Sequence, residues 1–244
     1  MSAVVKYQIL TKVLRWLAIV LVLRVLATIL ANYPDYFPPN FDSLFLQGRE
    51  TTFNGVYRTA FYIHIASAPV VSFIGLILLN ENFRRRRPAW HRLLGRVQVS
   101  ALLLLVLPSS VVISRHAFGG WPAGLSFLLL SAATAGCIIA GVTHARHRRY
   151  DRHRRWMVRS YVLIGSAVAL RLVSGALGVV GVPNPERAYI VAAWNSWLIP
   201  LAAYEIADRV PRPQQPKVFE GRRSDVGGNV SRVSVLEHHA KPRK

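Results

Sequence analysis

The sequence is poor in three things. It carries one cysteine, Cys137, and only 11 acidic residues against 31 lysines and arginines in a chain of 244. It also lacks the short signatures of common catalytic and nucleotide sites. A lone cysteine excludes an intramolecular disulfide framework and a thiolate metal cluster; Cys137, in the middle of an apolar run, reads as a small packing residue. There is no Walker-type phosphate loop, no Gly-x-Gly-x-x-Gly opening a soluble βαβ unit, no His-Glu-x-x-His and no nucleophile elbow. Those absences remove P-loop nucleotide hydrolysis, soluble dinucleotide chemistry, zinc proteolysis and the α/β-hydrolase reaction. No catalytic residue is assigned, and if the chain is an enzyme it is a membrane oxidoreductase.

What fills the chain is apolar. Despite a net charge of +20, 52% of its residues are hydrophobic, and they come in unbroken runs. A helix needs ~20 residues to cross the ~30 Å hydrocarbon core of a bilayer, and these runs reach that length. The expected fold is an all-α polytopic bundle of six spans, at 12–31, 57–80, 93–115, 123–143, 157–181 and 189–208. Lys6, Lys12 and Arg15 precede the first run as they would in a signal peptide. That run continues to Ala31, beyond the usual ~7–15 residues, and reads as an uncleaved span. The chain then divides into a first span with an extracytoplasmic loop (1–56), a five-helix membrane core (57–208) and a basic cytoplasmic tail (209–244). The loop at 32–56 is rich in proline and aromatics and carries Asp35, Asp42 and Glu50; its Phe41–Leu46 piece is placed on the membrane surface. Segments 116–122 and 182–188 are tight turns marked by Gly119-Gly120 and Pro183/Pro185. From Val210 the chain has too little apolar content to fold and reads as disordered, with His238-His239 as linker.

The charge is blocky. His144–Ser160 alone holds seven arginines and three histidines, and Arg84–Arg96 is a smaller counterpart. Basic loops stay cytoplasmic, and both runs, the N-terminus and the tail fall on one side of the six spans. Both termini are therefore expected to be cytoplasmic. Tyr57, Tyr62, Trp121, Tyr189 and Trp194 then lie at the outer interface, and Trp90, Trp156 and Tyr204 at the inner one, as an aromatic belt. The arginine runs are tethered at the bilayer with no folded domain around them, so the expected partners are membrane lipids and anionic headgroups rather than nucleic acid. Small residues recur at packing spacing, Ala132, Gly136 and Ala140 in span four and Ser174 and Gly178 in span five, so these spans are expected to pack closely.

Two span-mouth motifs, His91-Arg92-x-x-Gly95-Arg96 and His153-x-x-Trp156-Met157-x-Arg159-Ser160-Tyr161, with Arg171 and His64, carry a resemblance. The chain resembles, over roughly residues 55–205, the bacterial membrane family called domain of unknown function 2306. The resemblance implies a multi-pass protein of the bacterial cytoplasmic membrane and implies no established activity.

Arg171 is the most informative residue. It falls near the middle of span five, where a charged side chain costs at least ~2.5–3.5 kcal/mol. No Asp or Glu falls at comparable depth. Two readings stand: Arg171 bonds helix carbonyls or lines a small wet cavity, or it meets an anionic or strongly accepting ligand such as a lipid or prenyl phosphate, a quinone oxygen or a haem propionate. His64 in span two falls within about one helical turn of the same depth. Arg24 and Asn195 have similar outer-half depths, and the four residues are candidates for a polar ligand pocket. The alternative is four separate snorkelling or structurally bonded side chains.

Haem b is the redox alternative, in a protein resembling cytochrome b561 or ferric reductase types, and its candidate ligands are His64, His116, His91, His144 and His153. Bis-histidine ligation needs two imidazoles at matched depth on facing helices. His116, however, lies at or beyond its helix end, and 25 positions from His91 to His116 span ~38 Å. At the inner interface His91, Arg92, Arg96, His153 and Arg159 read either as topology anchors or as a phosphate or proton-accepting site. No metal site is assigned, since arginines around His144, His147 and His153 would repel a cation. A structural or assembly factor without a ligand is the remaining alternative.

Overall fold

In lipid a backbone must satisfy its own N–H and C=O groups, which leaves an apolar run of twenty residues no choice but a helix. The computed structural model describes residues 3–43 and 45–209, and those residues are helical apart from turns and one loop. Helix α1 runs Ala3–Ala31, α2 Gly55–Leu78, α3 Glu81–Arg86, α4 Pro88–Ala101, α5 Leu107–Ser114, α6 Gly120–Arg146, α7 Tyr150–Ile164, α8 Ser166–Val180 and α9 Pro185–Arg209. Helices α4 and α5 are continuous through a π-turn, Leu102–Val106, and α7 meets α8 at Gly165. Six helical segments are long and apolar enough to cross a membrane: Trp16–Asp35, Gly55–Leu78, Pro88–Ser114, Gly120–Arg146, Tyr150–Val180 and Pro185–Arg209. The chain is an all-helical membrane protein. The expected basic tail lies outside the described residues.

The basic ends of the spans are longer than hydropathy alone implies. The third span starts at Pro88 rather than residue 93, and the fifth at Tyr150 rather than 157. Charged first turns protrude from the apolar slab while remaining helical, and proline at the first turn gives up no needed N–H. Between them, α3 is capped by the Asn80 side chain, which accepts from the N–H groups of Asn82 and Phe83. Arg85 donates to Glu81 at 2.8 Å and holds that carboxyl below the usual carboxylate range.

Helices α6 and α7 pack most closely, and Gly141 is the reason. A Cβ there would fall 2.7 Å from the Met157 sulfur. The small face expected to make this contact does not: Ala132 and Gly136 are exposed, with open space where Gly136 lacks a side chain. Helix α9 lays Ala192, Ala193, Ser196 and Trp197 inward. Trp197 donates its Nε1–H to the Ser126 hydroxyl at 2.9 Å, and that hydroxyl donates to the Ala193 carbonyl at 3.0 Å, tying α9 to α6.

The loop between α1 and α2 caps one end of α2 with aromatics. Tyr36, Leu46, Phe53, Tyr57 and Phe61 form a buried cluster in which Tyr36 meets Phe61 edge-on at 5.3 Å. Leu46 is fully buried there, while Phe45 of the same piece is exposed. Arg49 fastens the cap by donating to the Tyr57 hydroxyl at 2.8 Å and to the His116 carbonyl at 2.7 Å.

Candidate functional site

Three spans each depart locally from the regular α-helical hydrogen-bond ladder, and residue type accounts for the departures at Pro69 and Gly165. Pro69 lies inside the continuous helix α2 and has no N–H, so the carbonyl of Ile65 loses its ordinary partner. The Tyr33 hydroxyl, reaching in from the loop, donates to that carbonyl instead. In the third span the π-turn ends at Leu107, whose N–H reaches back five residues to Leu102, one residue before Pro108. The fifth span breaks at Gly165, between α7 and α8. Non-helical backbone at bilayer depth is tolerated only where it is buried in protein or lines a cavity, and π-turns concentrate at functional sites.

A cavity of about 120 Å³ lies beside Pro69 and the Gly165 link. One wall is the Val22, Val25, Leu26, Ile29 stripe of α1. The others come from His64 to Ser72 of α2, Tyr161 and Ile164 of α7, the Gly165 link, and Ala167, Val168 and Arg171 of α8. Its walls are mostly aliphatic, and no carboxylate lines it. His64 and Arg171, matched in depth by the sequence, therefore share one lining.

Each polar group in that lining has an identifiable partner. The Tyr161 hydroxyl donates to the Ser72 carbonyl at 3.1 Å, and its ring packs on Gly75, where any side chain would collide with it. The Ser72 hydroxyl donates to the Ala68 carbonyl at 2.8 Å. Arg171 Nη1 donates to the Ala167 carbonyl at 3.0 Å, the helix-carbonyl bond that sequence reasoning allowed for. No carboxylate pairs with Arg171 among the described residues. Its charge reaches the loop: burial raises the Tyr36 phenol above its ordinary value, and Arg171 pulls against that rise.

His64 is held from behind. Its Nδ1 lies 3.2 Å from the Ser109 Oγ. The Ser109 hydroxyl has one proton, and the Leu105 carbonyl at 2.6 Å is its nearest acceptor. Nδ1 is then the donor of the His64–Ser109 bond, and in a neutral ring Nε2 keeps a lone pair. His64 lines the cavity and Ser109 does not.

The structure leaves two of the four expected pocket residues elsewhere. Arg24 is exposed on α1, two positions and ~200° around the helix from Val22, so it points away from the stripe that lines the cavity. Asn195 is half-buried on α9, which packs against α6, α7 and α8 rather than against α1 or α2. Of the haem candidates, His64 is the one histidine in the cavity, and His116 is exposed beyond α5 with its ring edge-on to Tyr57 at 5.0 Å.

At the basic end the motif residues take distinct partners. His153 Nδ1 donates to the Gly141 carbonyl at 2.8 Å, bridging the α6–α7 turn. Arg159 makes a two-pronged bond to Glu205 of α9, at 2.5 and 3.0 Å, with its guanidinium over the Trp156 ring at 4.8 Å. His91 and His144 each bury an Nδ1 without a protein partner, while Arg92 and Arg96 are exposed. Sequence reasoning missed Ser109, Ser72 and the α1 stripe. The Pro108-Ser109-Ser110 triplet in mid-span was the available signal for the first.

The family described as predicted membrane protein, DUF2306, matches residues 61–207, which takes in His64, Ser109, Tyr161 and Arg171 but neither α1 nor the aromatic loop. No curated protein and no solved structure matches the chain. With more than half of its residues matched, the chain belongs to the DUF2306 family of predicted membrane proteins.

Proposed function

We propose that the protein binds a small lipophilic molecule with a polar head, a lipid, quinone or other anionic or polar species, with His64 and Arg171 as its anchors. One observation carries the reading: a histidine with an uncommitted nitrogen and an arginine without a carboxylate partner meet in one aliphatic-walled cavity. Holding an arginine at bilayer depth costs ~2.5–3.5 kcal/mol. The Ala167 bond uses one N–H, and the remaining donors suit a ligand oxygen. On the same reading the Arg-rich ends and both termini face the cytoplasm, by the positive-inside bias, in a multi-pass protein of the cell membrane. The arginine runs then attract anionic headgroups, each cation contributing ~1 kcal/mol near the surface.

The test is thermal unfolding of full-length protein in mild detergent, with and without a chloroform–methanol extract of host membranes. The extract is expected to raise the unfolding temperature of the wild type and to leave Arg171→Leu and His64→Leu unmoved. Equal shifts in all three proteins would overturn the proposal and leave both residues a packing role.

A further inference from the structure

The hydrogen-bond partners in the cavity constrain what fits it. The Tyr161 and Ser72 hydroxyl protons are given to helix carbonyls, and the Ser109 proton behind His64 is given to Leu105. That leaves one donor group, the guanidinium of Arg171, and one strong acceptor, Nε2 of His64. A phosphate brings several terminal oxygens that all need donors, and only Arg171 would serve them. A ligand with a hydroxyl on one side and an accepting oxygen on the other uses both groups. Size narrows the class further: a cavity of about 120 Å³ is somewhat smaller than the ~150 Å³ engineered cavity that holds benzene, so it suits one six-membered ring and not a porphyrin.

Resting on the binding reading above, we propose that the cavity takes a single hydroxylated aromatic ring of quinol type. Its hydroxyl donates to His64 Nε2, its second oxygen accepts from Arg171, and its tail leaves along the Val22–Ile29 stripe of α1. Helix α1 is suited to this exit, because it contacts the bundle chiefly through α8 and the short turn at Tyr33–Asp35. The arrangement selects the reduced ring over the oxidised one. A quinone has two acceptors and no hydroxyl, and it offers Nε2 no donor. The inference concerns binding and assigns no electron transfer.

Full-length protein in detergent is titrated calorimetrically, under nitrogen, with 2-decylhydroquinone, 2-decyl-1,4-benzoquinone and dodecyl phosphate as probes. The quinol is expected to bind up to about tenfold tighter than the quinone, the net worth of one hydrogen bond. His64→Leu is expected to erase that preference and Arg171→Leu to weaken both ring probes, while His64→Gln, which restores an acceptor, recovers part of it. Equal affinity for quinol and quinone overturns the inference. Tighter, Arg171-dependent binding of dodecyl phosphate also overturns it while leaving the broader binding reading standing. Binding of no probe in an Arg171-dependent way, with no response to the membrane extract, overturns both.

Discussion

Tyr33 and Pro69 are coupled through one carbonyl. Proline leaves the Ile65 oxygen without an N–H, and the Tyr33 hydroxyl supplies the replacement. Tyr33→Phe should therefore destabilise the protein by about 1–3 kcal/mol, the cost of an orphaned buried acceptor. In a Pro69→Ala background the helix serves Ile65 itself, and the same substitution should be nearly silent. A double-mutant cycle by thermal unfolding measures this coupling; additive effects would show that Tyr33 serves some other purpose. At the opposite end Arg159 is shared between Glu205 and the Trp156 ring, with its side chain 18% exposed. Arg159→Lys keeps the charge but loses the fork and the stacking, and a loss of about 1 kcal/mol in the same assay is expected. Arg159 and His153 were legible as special from their place at a span mouth. Their partners were not, because Glu205 and Gly141 are 46 and 12 positions away in sequence. The depth match of His64 with Arg171 was legible from helical rise alone. The exclusion of Arg24 was not, because depth says nothing about which way α1 is turned.

Breaks in helices were unevenly visible in the sequence. Pro69 and Pro108 announce themselves, but the α7–α8 break falls at Gly165, and a lone glycine in an apolar run marks no boundary by itself. The packing face of α6 shows the same limit. Small residues occupy more than one side of this helix, so spacing offers two faces, and only tertiary structure selects Gly141 over Gly136. The contrast is testable. Gly141→Val forces the Met157 side chain aside and should cost about 1–3 kcal/mol, whereas Gly136→Val enters open space and should lie within about 0.5 kcal/mol of wild type. Urea or thermal unfolding of the two variants separates them; equal effects would contradict an α6 whose Gly141, and not Gly136, faces α7.

The molecule as a whole combines a family core, residues 61–207, with a first helix and an aromatic loop that complete one wall and one carbonyl of its cavity. Charge sets the orientation: a reporter fused after Lys244 should be active only in its cytoplasmic form, and an external signal would reverse the assignment of the two ends. Span number was legible because hydrophobic length is a local property. The cavity was not, because it arises where the Pro69 region of α2, the Gly165 link of the fifth span and a stripe of α1 come together. The most direct test of its purpose is mass spectrometry of small molecules released from full-length protein extracted in native lipid discs. A lipophile retained near one per wild-type protein and lost from Arg171→Leu is the predicted result. Equal retention by wild type and Arg171→Leu, or retention by neither, would contradict a ligand site at His64 and Arg171.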